Sequence, residues 1–254
     1  IVEDIATTKH ENNFTCCIFY EICDTHVFGL SFVDLSTGKC YIHEVTSGLP
    51  NFRLEELYRI VEMYSPTEIC VYYEKDILIT QINKVRECFE NDTRVVHLFS
   101  HDCQYSNLDY QRSMLKRVYA LEVMSDPIEY LDLELMHYGR ISFIHLLQFI
   151  YEHDDKVLKG LKSPVLEHDS TALLLNNNSC FQLGVINNSS GKSLFDIINK
   201  TSTVLGKRKI YSELLNPITC PKILNIIYDS VEKMKHHIEF TEQKLKYIVD
   251  VERL

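Results

Sequence analysis

Apolar residues crowd three short segments near the start of the chain: 14–22 (FTCCIFYEI), 26–34 (HVFGLSFVD) and 39–46 (KCYIHEVT). Each is of strand length, rich in aromatic or β-branched residues and bounded by polar ones, the pattern of a β-strand. Leu35-Ser36-Thr37-Gly38 separates the second from the third. Ser and Thr bond back to the backbone and Gly accepts positive φ, so this is a hairpin turn, with Asp34 at its start. The period then changes. Leu54, Leu57, Ile60 and Val61 share one face of a helix over 53–64, which Ser65-Pro66-Thr67 stops. A short apolar strand follows at 68–73 (EICVYY). An amphipathic helix comes next at 76–90, through Ile79, Ile82, Val85 and Phe89, and then a last strand at 94–99 (RVVHLF).

Three consecutive strands followed by alternating helices and strands is the order expected of a ribonuclease-H-like layer. Beyond about residue 105 the strand signal fades. Residues 109–124 and 128–153 read as helices split by Asp126-Pro127. The segment 141–150 (ISFIHLLQFI) is apolar nearly all round, so it should be buried on several sides. Residues 171–186 hold a short apolar stretch suited to paired strands, and 187–193 (NNSSGKS) form a loop. A helix is expected over 193–215. Pro217 and Pro221 bracket a turn, and a long helix runs from 221 to the end. Its apolar stripe is Ile223, Ile227, Val231, Met234, Ile238, Leu245 and Ile248. The expected architecture is an α/β ribonuclease-H-like domain over 1–125 followed by an all-α domain over 126–254.

Composition narrows the function. The 254 residues carry 26 Lys+Arg against 36 Asp+Glu, a net charge of −10, a poor balance for wrapping nucleic acid with the whole surface. The charge is uneven: residues 200–254 hold 10 Lys+Arg and 7 Asp+Glu, and residues 1–199 hold 16 and 29. Only the C-terminal piece is mildly basic. The nine Cys form no C-x-x-C pair and are odd in number, which fits reduced, mostly buried thiols in an intracellular compartment. No apolar run approaches the ~20 residues that span a bilayer. The chain begins at Ile1 and stops inside an expected helix, so it reads as a piece of a longer protein.

Candidate chemistry is thin. Gly191-Lys192-Ser193 ends like a phosphate loop, but the first Gly of that loop would fall at 186, where Ile186 stands. Asp34 ends a strand where a nuclease of this layout would keep a metal-binding carboxylate, with Glu68, Glu74 or Asp102 as partners. The structural alternative makes Asp34 the start of the turn. Among the eleven His, His236 and His237 are adjacent on a helix and diverge by ~100°, and His10, His26 and His43 lack ligand spacing, so no metal site is expected. No catalytic residue is assigned.

The most specific signal is a set of segments in order: FGLSFVDLSTGKCYIHEV at 28–45, SLFDIINKTSTVLGKRKIYSELLNPI at 193–218, ILNIIYDSVEKM at 223–234, and Asp250-Val251-Glu252-Arg253-Leu254. Together they resemble the MutS family of DNA mismatch-recognition ATPases. In that family a G-[LIV]-A-x-x-D-[LIV]-S-T-G hairpin opens the connector domain. An S-L-[LF]-x-x-[IL]-[DN]-x-T-x-T-x-[ML]-G-x-R stretch opens the core, and a D-[ILV]-E-R-[LIV] lies further along. Asp34, Gly38, Thr201, Thr203, Gly206, Arg208, Pro217, Asp250, Glu252 and Arg253 stand at the matching places. The Ile-, Asn- and Lys-rich composition suggests an AT-rich genome, viral or organellar.

The resemblance implies a connector over 1–125 and the first part of a helical core, or lever, over 126–254. It implies that the longer protein binds ATP and Mg, pairs with a second MutS-like subunit and acts on double-stranded mismatched DNA. The Walker motifs and the DNA clamp would lie after residue 254. Residues at the motif positions would act structurally. Gly206 would let two helices approach closely, Arg208 would bond carboxylates or carbonyls with its planar fork, and Asp250, Glu252 and Arg253 would bind neighbouring helices or the ATPase domain. Phe19-Tyr20-Glu21 has the letters of the family's mismatch-reading Phe-x-Glu but sits in the first strand and is rejected. Asn176 and Gln182 replace a family Asp and Glu. Two other readings stand beside this one: a ribonuclease-H-like metal-dependent nuclease with a helical appendage, and a MutS relative acting on recombination intermediates.

Overall fold

A computed structural model describes residues 13–45, 50–90, 94–120, 126–153, 155–166, 182–186, 192–215 and 217–250. Chain contacts divide the protein into two compact units, Ile1–His168 and Asp169–Leu254.

The first unit is built on a mixed six-stranded sheet. β1 (Phe14–Ile22), β2 (His26–Asp34) and β3 (Cys40–Val45) form an antiparallel meander. α1 (Pro50–Tyr64) leads to β4 (Glu68–Tyr73), which pairs parallel with β1, and α2 (Ile79–Phe89) leads to β5 (Val95–Ser100), which pairs parallel with β4. A 3-10 turn (Cys103–Ser106) precedes α3 (Leu108–Tyr119), α4 (Pro127–Tyr130), α5 (His137–His153) and α6 (Asp155–Leu158). β6 (Val165–Leu166) then adds parallel to β3, giving the order β5-β4-β1-β2-β3-β6. Alternation along each strand sends residues to two cores. Cys16, Ile18, Phe28, Leu30 and Phe32 meet α1 and α2 on one face, while Cys17, Val33, Cys40 and Ile42 meet α3 to α6 on the other.

On that second face the sheet presents small residues to α5. A Cβ on Gly29 would lie 2.0 Å from the Tyr138 carbonyl oxygen, and one on Gly139 would lie 2.6 Å from Ile42 Cγ2. Ser31 and Ser142 hydroxyls meet at 2.9 Å, and Ser142 Oγ donates to the Cys17 carbonyl at 2.8 Å. The absence of bulk lets α5 lie directly on β2, and Glu44 of β3 accepts the Gly139 N–H at 2.8 Å, near the helix start. The boundary expected near 125 therefore falls inside the first unit, because α5 completes the sheet's second core instead of opening a separate helical domain.

The helices differ from expectation at their ends. The helix read over 128–153 is broken after α4, where Asp132 takes a left-handed φ of 56° and Leu133 and Met136 turn into the core. The second unit contains α7 (Leu194–Ile198), α8 (Val204–Leu215), α9 (Pro221–Met234), a 3-10 turn (Lys235–His237) and α10 (Ile238–Leu245). The single helix read over 193–215 is two, since Asn199 accepts the Thr201 N–H between them and Thr203 accepts the Gly206 N–H at the start of the second. The long helix expected from 221 to the end is interrupted by the 3-10 turn at Lys235–His237, and its second part stops at Leu245. The expected strands at 171–186 and the loop at 187–193 lie mostly outside the described residues, as does Asn176; Gln182 is described and exposed. No helix among the described residues is long and apolar enough to cross a membrane.

Candidate functional site

The motif residues of the second unit converge on the start of α8. Ser193 caps α7 reciprocally with Asp196: its N–H and hydroxyl reach Asp196 Oδ2 at 2.9 and 2.7 Å, and its oxygen accepts the Asp196 N–H at 3.2 Å. Asn199 then ends α7 and turns the chain, its Oδ1 accepting the Thr201 hydroxyl at 2.7 Å. Thr203 caps α8 through the Gly206 N–H at 3.1 Å. A Cβ on Gly206 would lie 3.1 Å from Thr203 Oγ1 and 3.2 Å from Thr201 Cγ2. Close approach at Gly206 is therefore to the turn that starts its own helix, not to a second helix as expected.

One turn into α8, Arg208 makes a two-pronged ion pair. Its two terminal nitrogens donate to the two carboxylate oxygens of Asp250 at 2.6 and 2.7 Å. Both side chains are largely shielded, 11% and 21% exposed. A paired fork-to-fork bond fixes the planes as well as the distance. Beyond the end of α10 at Leu245, the chain thus brings Asp250 back to α8, 42 residues from Arg208. Pro217 is half-buried beyond the end of α8. Glu252 and Arg253 lie outside the described residues.

In the first unit Asp34 is a turn residue. Its Oδ1 accepts the Ser36 N–H at 2.9 Å and the Ser36 hydroxyl at 2.6 Å, and its Oδ2 accepts the Thr37 hydroxyl at 2.8 Å. Gly38 has φ of +69°, and a Cβ there would lie 2.1 Å from the Gly160 carbonyl oxygen. The hairpin tip is thus fitted against the segment after α6, where Lys162 N–H bonds the Gly38 carbonyl at 2.8 Å. The possible nuclease partners do not gather round Asp34. Asp34 lies opposite Phe14, whereas Glu74 follows Tyr73, which pairs with Tyr20 at the far end of β1, ~20 Å along the strand. Asp102 is at that far end too, since the His101 N–H bonds the Tyr73 carbonyl. Glu68 shares Asp34's end but lies across β1 and is bonded to His97 at 2.9 Å. No metal-holding group of three His, Cys, Asp or Glu occurs among the described residues.

Nor do these residues fit a nucleotide. In Gly191-Lys192-Ser193 the Ser193 N–H and hydroxyl already face the Asp196 carboxylate, which repels phosphate, and α7 has only five residues.

The relatives decide the family. A putative DNA mismatch repair protein mutS homolog of Acanthamoeba polyphaga mimivirus is 34% identical over 259 residues, covering 89% of this chain and 23% of that protein. DNA mismatch repair protein MutS of Alkaliphilus metalliredigens is 23% identical, covering 89% of this chain and 25% of the relative. The chain belongs to the MutS family. A mitochondrial DNA mismatch repair protein mutS homolog of Sarcophyton glaucum is 26% identical over 65% of the chain and 17% of the relative. The chain thus spans about a quarter of the length of its MutS relatives, between 17% and 25% of these three. No protein-family model matches it. The solved structure of T. thermophilus RuvC in complex with Holliday junction substrate aligns with 56% of the chain at 13% identity and a TM-score of 0.26, too low to bear on the fold.

Sequence reasoning missed two structural details. Asn199 sets up the Thr201 turn, and an Asx residue two places before a Thr is the local signal for it. The other is a buried His101–His145 pair, whose members are 44 residues apart and carry no local signal.

Proposed function

We propose that these residues are the connector and the opening of the helical lever of a MutS-like DNA mismatch-recognition ATPase, coupling the ATPase to the grip on DNA in the longer protein. The sheet unit is the ribonuclease-H-like connector, a reading supported by an antiparallel meander continued by two parallel strands. The lever begins with the second unit, after residue 168. The carrying observation is the Arg208–Asp250 clasp, because it joins two of the segments on which the family resemblance rests. A lever transmits displacement only if its parts keep their relative orientation, and a two-pronged bond holds angle where a single contact leaves it free. Mismatched double-stranded DNA and a second MutS-like subunit are the partners. ATP and Mg belong to other parts of the longer protein.

The test uses the full-length protein. Arg208→Ala should keep basal ATP turnover but lose its stimulation by a mismatched duplex. Stimulation equal to the unaltered protein's would overturn the coupling role. Magnesium-dependent DNA cleavage that disappears in Asp34→Ala would replace the reading with the nuclease.

A further inference from the structure

The sheet unit contains a pair of buried histidines to which the proposed function gives no role. His101 follows β5 and His145 lies midway along α5, exposed by only 2% and 1%. His101 Nδ1 and His145 Nε2 are 2.8 Å apart. His101 Nε2 lies 2.9 Å from Ser106 Oγ and 3.6 Å from Glu74 Oε1. The His145 ring stacks on Tyr72 at 3.9 Å and lies tilted against Tyr105 at 4.3 Å, and Phe19 lies 4.9 Å from His101. His145 Nδ1 is buried and has no hydrogen-bond partner among the described residues.

A nitrogen-to-nitrogen bond holds one hydrogen between two rings, so one ring must offer a bare lone pair. The carboxylates facing His101 are Glu21 from β1, Glu74 after β4 and Asp102 after β5; the titratable phenols beside the pair are Tyr72 of β4 and Tyr105 of the 3-10 turn. A first added proton is best placed on His101, facing those carboxylates. A second puts an imidazolium among Tyr72, Tyr105 and Phe19 and sets one positive ring against the other. Burial opposes both steps, and it holds both imidazoles below the usual histidine range.

We propose that His101 and His145 form a proton-operated latch: neutral, the pair fastens the Cys103–Ser106 turn and α5 to the ends of β1, β4 and β5, and proton uptake opens that turn. The pair joins three elements that otherwise follow one another loosely in the chain. His101 follows β5, Ser106 closes the turn, and His145 reaches this bond from α5.

Amide hydrogen exchange on the 254-residue chain tests it, read at Cys103 to Ser106 and corrected for intrinsic rates. An imidazole that is neutral when closed and ordinary when open raises the open population about tenfold between pH 7.5 and 5.5. The unaltered chain should lose protection there by about ten- to a hundredfold. His145→Phe should lose no more than about tenfold, and the His101→Gln/His145→Phe double variant should be flat. Equal protection of the unaltered chain at both pH values would overturn the latch, as would a loss of unaltered size in the double variant. If the variants do not fold, ring resonances of the unaltered chain decide. Titration of either ring at the ordinary histidine pKa of about 6.5 with the turn still protected would overturn it, and no titration until the turn opens would support it.

Discussion

The two units are held together in different ways. The sheet unit sandwiches its strands between two apolar cores, and every buried apolar side chain among the described residues belongs to it. In the helical unit the only buried described residue is Ser193, and the apolar residues of α9 and α10 such as Ile226, Val231 and Phe240 face outward, more than half exposed. What orders that unit is directional and polar: the Ser193–Asp196 box, the Asn199 and Thr203 caps and the Arg208–Asp250 clasp. Apolar burial tolerates small shifts because it has no preferred direction. Capping bonds and a bidentate ion pair set angles. The contrast fits the lever role proposed for the helical unit, which requires a held orientation.

Substitutions can break that contrast, and the largest effect belongs in the sheet unit. Gly29→Val should destabilise it by about 3 kcal/mol or more, because the added carbon meets the backbone of α5, which cannot step aside. Urea unfolding read from sheet-unit signals measures it, and a loss below about 1 kcal/mol would mean α5 does not sit on β2. In the helical unit, Arg208→Ala should cost about 2–3 kcal/mol by leaving a shielded carboxylate without its partner. The double variant with Asp250→Ala should cost little more than the single one, and strict additivity would show that the clasp contributes nothing in solution.

Gly206→Leu should destabilise by about 1–3 kcal/mol by pushing into the Thr201–Thr203 turn. Chemical denaturation with no loss would rule out the close approach. Acid should weaken the sheet unit as well. Burial lowers His43 to about 4 and His145 to about 2, so both stay neutral in the folded sheet unit, while the unfolded chain takes up protons below about 6.5. Stability is therefore full above that pH and declines as pH falls, by about 1 kcal/mol per histidine between pH 6.5 and 5.5. Smallest of all, Ile226→Ser should change stability by less than about 0.5 kcal/mol, since that side chain is 64% exposed. A larger loss would show that α9 is covered in solution.

Much of the sheet was legible because strand periodicity and turn chemistry are local. FTCCIFYEI and HVFGLSFVD reach the structure with the same bounds, and Ser36-Thr37-Gly38 turns where its residue types require it. Helix ends were less legible. Asp132 breaks a helix whose apolar pattern continues through Leu133 and Met136, and Asn199 divides one that reads as continuous. The exposed stripe of α9 shows the same limit from the other side. Ile223, Val231 and Met234 do lie at helical spacing, but periodicity cannot supply the surface that would cover them.

By itself the sequence determined the alternation that makes two faces of the sheet, the hairpin at Asp34–Gly38 and the ordered motifs that mark a MutS-family chain. These depend on neighbours a few residues apart. Tertiary structure alone decided that Gly29, Ser31, Gly139 and Ser142 meet, so that α5 belongs to the sheet. It alone brought Asp250 back to Arg208, set His101 against His145, and spread Asp34, Glu74 and Asp102 over opposite ends of the sheet. Each of these joins residues dozens of positions apart, and such pairings are fixed by shape and burial in three dimensions, which no local pattern in the chain encodes.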